Sequence, residues 1–215
     1  MIKVLYGDAT PLLENKAFSF FIEGIDIAAK GRILDPGRKD RRACRLMSYL
    51  MLNALHKREF FSPLPPLLIS ELGKPYLENG PAISISHDKM MVVVGMTADY
   101  KQLGIDLQSE PNPVMASRVR RRFLTPTPPY RKGDPEVEFL MAHIEVGALD
   151  ITPAHAFGTP STFLSDYVRA EAIMKMTGGG FADFPNLSSL CATCETALIP
   201  LEEKGGGFAI GLAYR

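Results

Sequence analysis

The feature that most constrains this chain is a series of short apolar runs between residues 67 and 107, too brief for helices and separated by turn formers. Leu67–Leu72, Ala82–Ser86, Met90–Thr97 and Leu103–Leu107 read as strands. Asp88-Lys89 marks a tight hairpin, and Tyr100-Lys101-Gln102 a second turn. A helix stands on either side. Over Asp40–His56, Cys44, Met47, Met51 and Leu55 recur at helical spacing. Phe163–Thr177 is a second helical stretch, closed by Gly178-Gly179-Gly180. Strands in runs flanked by helices, rather than strictly alternating with them, point to the α+β class.

The remaining segments fill in this outline. Ile2–Tyr6 reads as a first strand and Leu12–Lys30 as a helix ending near Gly31. Pro63-Leu64-Pro65-Pro66 is a break. Pro113 suits the first turn of a helix running to Phe123, and proline-rich Leu124–Pro135 reads as a loop or flap. Glu136–Ala148 is expected to be helical and Ile151–Thr162 irregular. Cys191–Leu198 and Phe208–Tyr214 read as strands joined through Gly205-Gly206-Gly207. Each half thus holds a helix flanked by strands. The expected division is an N-terminal lobe, residues 1–103, and a C-terminal lobe, residues 104–215.

Charge narrows the function classes. The 215 residues carry 24 Lys and Arg against 24 Asp and Glu, so no global field favours nucleic acid. Local charge is uneven: Lys30 to Arg45 is strongly basic, as is Arg118 to Arg122. Such clusters are ordinary solvated helix faces unless they flank an anion site. The longest apolar run, Met90–Ala98, is too short to span a bilayer, so no membrane partner is expected. Three cysteines and a start that reads as strand and turn imply a reducing compartment, hence the cytoplasm.

Several polar residues stand where a strand or helix would otherwise be apolar. Asp106 closes Leu103-Gly104-Ile105, where a carboxylate is costly unless paired, solvated or bound to metal. Gln108 points to the same side of that strand. Glu171 and Lys175 share a helix face; by itself this spacing is a common surface ion pair. Magnesium takes one or two carboxylates together with phosphate oxygens and water. Asp106, Glu171 and Gln108 could therefore supply a metal site from two elements. In Ser84-Ile85-Ser86-His87-Asp88 the two serines alternate onto one face, either as the exposed polar face of a hairpin or as donors to phosphate. Gly73-Lys74-Pro75 offers a turn and one cation.

The order Gly73-Lys74-Pro75, Ser84-x-Ser86-His87, Gly104-Ile105-Asp106-x-Gln108, then a Tyr167-led helix with Glu171 and Lys175, resembles the 4'-phosphopantetheinyl transferases of the larger, surfactin-synthetase-activating type. The resemblance spans roughly residues 73–178. It implies two similar α/β lobes related by a pseudo-twofold axis, with coenzyme A held between them as substrate. It implies Mg²⁺ on Asp106, Gln108 and Glu171, and a catalytic role for Glu171 and Lys175. Lys74, Ser86, His87 and Arg45 then fall at contacts to the nucleotide and its 3'-phosphate. The partner would be an acyl, peptidyl or aryl carrier protein, and two lobes in one chain make a monomer sufficient. Gln108 stands where the family commonly has Glu, Ala170 where it has Lys, Ser84 where Asn is common and Tyr167 where Trp is usual.

Two other readings follow from the residues. One is a coenzyme A-binding relative without transferase activity, suggested by Gln108 and Ala170. The other is a zinc deaminase, from His143-Ile144-Glu145 followed by Cys191-Ala192-Thr193-Cys194. A strand over the cysteines would turn them to opposite faces, which weighs against the latter.

Overall fold

A computed structural model describes residues 1–25, 27–109, 146–151, 163–179, 189–190, 193–203 and 206–215. The chain begins with β1 (Ile2–Asp8), a single 3-10 turn (Thr10–Leu13), α1 (Asn15–Glu23), α2 (Ile27–Leu34) and α3 (Lys39–Phe60). Then come β2 (Leu67–Ile69), β3 (Pro75–Leu77), β4 (Ala82–Asp88), β5 (Met91–Thr97) and β6 (Leu103–Ser109). The last elements are β7 (Val146–Ile151), α4 (Phe163–Thr177), β8 (Glu195–Glu203) and β9 (Gly206–Tyr214). The mixture of helix and sheet is α+β, as expected.

Among the described residues, a four-stranded sheet runs β4-β5-β1-β7 and a three-stranded sheet runs β6-β9-β8. In both, a first strand (β1 or β6) pairs antiparallel with the second strand of a later hairpin. In both, a helix precedes that hairpin: α3 in the first case and α4 in the second. The β2–β3 hairpin stands apart as a two-stranded ribbon.

The apolar pattern explains how the layers stack. Every residue of β5, Met91 to Thr97, is buried. Val92, Val94 and Met96 join the core under α3, while Met91 and Val93 pack with Leu103, Ile105 and Leu107 of β6. β5 is therefore covered on both faces, which its near-continuous apolar sequence requires. The Cys44, Met47, Met51 and Leu55 stripe of α3 lies in the first core, each at most 1% exposed.

α4 sits on the second sheet at backbone distance. A Cβ at Gly104 would lie 1.9 Å from the Ala172 carbonyl oxygen, and one at Gly211 would lie 2.6 Å from that of Val168. Only glycine permits this approach. It brings the helix carrying Glu171 and Lys175 directly over the strand carrying Asp106.

Several sequence expectations change. Leu12–Lys30 is not one helix: Pro11 starts a 3-10 turn, Gly24 closes α1, and Gly31 lies inside α2. Leu67–Leu72 is strand only to Ile69, because a turn at Ser70–Lys74 folds the chain back into the unanticipated β3. Val146–Ala148, expected as the end of a helix, belongs to β7; the free edge of β1 supplies a backbone template that outweighs local periodicity. β8 starts at Glu195 rather than Cys191, since Thr193 donates its N–H to the Leu190 carbonyl in a turn. The expected division before Gly104 falls one residue inside β6, and β7, later in sequence, completes the first sheet. The expected helix at Pro113–Phe123, the loop at Leu124–Pro135, residues 136–145 and residues 152–162 lie outside the described residues. No helix among the described residues is long and apolar enough to cross a membrane.

Candidate functional site

The seam between the two sheets is made by side chains of β4 reaching the backbone of β6. Ile105 donates its N–H to Ser84 Oγ at 2.9 Å, Leu107 to Ser86 Oγ at 3.2 Å, and Ser109 to Asp88 Oδ2 at 2.6 Å. Alternate residues of one strand thus satisfy alternate amides of the other, as the period of two dictates. The two serines are not the exposed face of a hairpin. Each is 4% exposed, and their polarity satisfies an edge that would otherwise be left bare in the interior.

Asp106 lies at the centre of this seam, 1% exposed. Its Oδ1 accepts from Ser86 Oγ at 3.0 Å and from Lys175 Nζ at 2.6 Å. Its Oδ2 accepts from Gln108 Nε2 at 3.1 Å. Lys175 also donates to Ser86 Oγ at 2.7 Å. The Ser86 hydroxyl therefore donates once and accepts twice, which is its full capacity. A buried carboxylate is tolerable here because an ammonium and two further donors meet it. The Lys175 side chain remains 35% exposed, so the pair is sealed on the aspartate side and open on the lysine side.

Glu171 stands one turn before Lys175 on α4 and is half-buried. Among the described residues no hydrogen bond or ion pair joins it to Asp106 or Lys175. The structure brings together Ser86, Asp106, Gln108 and Lys175, with Glu171 above them on the same helix face as Lys175.

The donor set of Asp106, Gln108 and Glu171 is all oxygen, which suits a hard cation with phosphate and water completing its shell. Among the described residues no group of three or more His, Cys, Asp or Glu gathers, so no closed protein cage of the structural-zinc kind occurs there. Of the deaminase-like motif, Cys194 is half-buried, and His143, Glu145 and Cys191 lie outside the described residues.

Beside the seam opens a cavity of about 630 Å³ whose lining includes Arg32, Arg45, Tyr49, Ile85 and His87, with Gly73 and Pro75 at its rim. Arg45 Nη1 donates to the Arg32 carbonyl at 3.1 Å and lies 3.6 Å from Asp35. Arg32 in turn donates its guanidinium to the Leu67 carbonyl, fixing α2 to β2. His87 follows Ser86 on β4 and so points to the opposite face, into the cavity. Its ring surface is accessible within the cavity, yet the protein packed around it limits hydration. That desolvation, and then the charges of Lys175 and Arg41, hold its pKa below 6.5 against the opposing pull of Asp88.

Lys74 is placed differently from Arg45 and His87. Its ammonium does not enter this cavity. It donates to the carbonyls of Leu103 at 3.1 Å and Met176 at 2.5 Å, and its burial pushes the pKa down to about 8. Its side chain lines a second, larger cavity of about 1300 Å³ instead.

Sequence reasoning passed over two residues. In sequence Asp88 reads as half of a turn, whereas it holds the Ser109 amide; the two turn residues are Lys89, at φ 54°, and Met90. In sequence Arg32 is one cation of a basic run, and only the run itself signals an anion site. The Arg118–Arg122 cluster lies outside the described residues. No protein-family model matches the chain, and no curated protein matches it either.

Proposed function

We propose that this protein is a magnesium-dependent 4'-phosphopantetheinyl transferase, moving the phosphopantetheine arm of coenzyme A to a serine of an apo carrier protein. The observation that carries the reading is the convergence of Asp106, Ser86, Gln108 and Lys175 at the inter-sheet seam, next to a cavity bounded by Arg45 and His87. Pseudo-twofold lobes are part of the proposal. They are supported by the shared order of β4-β5-β1 and β8-β9-β6, each with a helix before its hairpin.

In this reading the cavity of about 630 Å³ holds the nucleotide end of coenzyme A, a volume in the range of small-molecule sites. Arg45 and His87 neutralise the 3'-phosphate. A bound Mg²⁺, held by Asp106, Glu171 and Gln108, would neutralise charge on the pyrophosphate and polarise it toward attack. Glu171, unengaged by hydrogen bonds among the described residues, takes the proton of the carrier serine. The serine oxygen forms a bond to the β-phosphorus, the bridging P–O bond breaks, and 3',5'-ADP leaves. Lys175, open on one side, stabilises charge on the transferred phosphate. Ser86 acts by orienting Asp106, since its hydroxyl has no capacity left for a ligand while those contacts persist.

A second reading has one observation in its favour. Gln108 turns its amide nitrogen toward Asp106, so a neutral group stands where a third carboxylate, beside Asp106 and Glu171, would add to the metal-binding charge. A coenzyme A binder without transferase activity would look like this. Thermal shifts with coenzyme A and dephospho-coenzyme A test the shared binding step. Coenzyme A should stabilise more, because Arg45 and His87 face the 3'-phosphate; equal shifts would remove those assignments.

A further inference from the structure

Gly73 lines the smaller cavity and Pro75 lines both, while the Lys74 ammonium between them crosses away from the smaller one. The turn that presents it is well fixed. Gly73 donates its N–H to the Ser70 carbonyl at 2.9 Å, Ser70 its N–H to the Lys74 carbonyl at 2.9 Å, and Lys74 its N–H to Ser70 Oγ at 3.0 Å. The two acceptors of the ammonium belong to the elements that carry the site. Leu103 opens β6, the strand of Asp106, and Met176 lies in the last turn of α4, next to Lys175.

The Met176 carbonyl is one of the orphan acceptors that every helix leaves at its C-terminal end, where a cation is also favoured by the helix dipole. Gly178, at φ +86°, closes α4 and leaves room for the lysine stem. A Cβ there would meet Lys74 Cδ at 3.4 Å, an ordinary van der Waals contact, so the lysine stem lies directly against the helix end. Lys74 is thus half-buried, holds two backbone carbonyls with two of its three N–H donors, and is directed away from the smaller cavity.

We infer that Lys74 is a positioning residue, a strut that sets β6 and α4 relative to the cavity rim, and that it is not a phosphate ligand. Resting on the transferase reading, this means that Lys74 governs the placement of Asp106 and Lys175 against bound coenzyme A. Its loss should slow transfer with little change in affinity.

The first test needs no ligand. Native-state hydrogen exchange is compared between the parent and Lys74→Met, which keeps the stem and removes the donors. Exchange should accelerate at least tenfold at the last turn of α4 and the start of β6, with α3 amides unchanged. Unchanged exchange, or a uniform rise across the protein, overturns the strut. The second test uses coenzyme A titration and steady-state transfer. The Met variant should keep its Kd within twofold and its preference over dephospho-coenzyme A, while kcat falls at least tenfold. A tenfold weaker Kd with that preference lost and kcat retained would make Lys74 a phosphate ligand. Should the variant not fold, the Lys74 amine of the parent is titrated by NMR with and without saturating coenzyme A. A strut keeps its titration midpoint, whereas a phosphate ligand shows a raised one. Failure of the parent to bind coenzyme A would count against the transferase reading alone, since the exchange test still decides the strut.

Discussion

Asp106 and Lys175, 69 residues apart in sequence, meet at 2.6 Å with Ser86 against both. A carboxylate from β6 and an ammonium from α4 are thereby locked across the packing made possible by Gly104. Asp106→Asn keeps an acceptor for Ser86 and Lys175 but removes the charge that a metal needs. Glu171→Gln removes the proposed base from a half-buried position. Both variants are expected to lower magnesium-dependent transfer at least a hundredfold. Glu171→Gln should change stability by no more than about 0.5 kcal/mol, as for a substitution that breaks no hydrogen bond or ion pair among the described residues. Transfer rates and urea unfolding check both. Parent-like rates in both variants would reduce the pair to structural charges.

Ser84 tests the seam independently of any chemistry. Its hydroxyl accepts the Ile105 N–H at 2.9 Å in a buried setting. Ser84→Ala adds no bulk, yet it leaves that amide without a partner. Unfolding free energy should fall by about 1–3 kcal/mol, the cost of one unsatisfied buried donor. A loss below about 0.5 kcal/mol would mean that water replaces the hydroxyl.

Gln108→Glu places a second carboxylate beside Asp106. Without metal the two charges repel, and the variant should be less stable than the parent by about 1 kcal/mol. With metal the order should reverse. Magnesium should raise the melting temperature of the variant more than that of the parent, and half-maximal transfer should need less magnesium. Identical magnesium midpoints would place residue 108 outside the metal shell.

His87 carries a pH signature. Its folded pKa lies below 6.5, by the limited hydration of its packed surroundings first and by Lys175 and Arg41 after it. As pH falls below 6.5 the unfolded chain takes up a proton that the folded protein resists, so stability present above 6.5 is progressively lost. His87→Gln should flatten this acid-side decline in melting temperature. Coenzyme A binding should also be accompanied by proton uptake near neutral pH, since a phosphate beside the ring favours its charged form. Calorimetry in buffers of differing ionisation heat measures that uptake, and none should remain in the variant.

Much of this architecture is legible in the sequence where the signal is local. The stripe on α3, the bounds of α4 and the hairpin around Lys89 follow from periodicity and turn chemistry. Asp106 announces itself as a carboxylate ending an apolar strand. What is not legible is nonlocal. The burial of Ser84 and Ser86 depends on β6 arriving with bare amides at a matching period, and β7 depends on the edge that β1 offers. The direction of Lys74 depends on two carbonyls 29 and 102 residues further along the chain. A lysine in a turn reads as solvent-exposed, and nothing local says otherwise.

The most direct measurement is the mass of the carrier. The protein is incubated with coenzyme A, Mg²⁺ and a panel of apo acyl, peptidyl and aryl carrier proteins, with Asp106→Asn as control. At least one carrier should gain one phosphopantetheinyl group at its serine, dependent on Mg²⁺ and absent with the variant, with 3',5'-ADP released in equal amount. A folded protein that binds coenzyme A and leaves every carrier at its apo mass would contradict transferase activity and leave the binding role of the second reading.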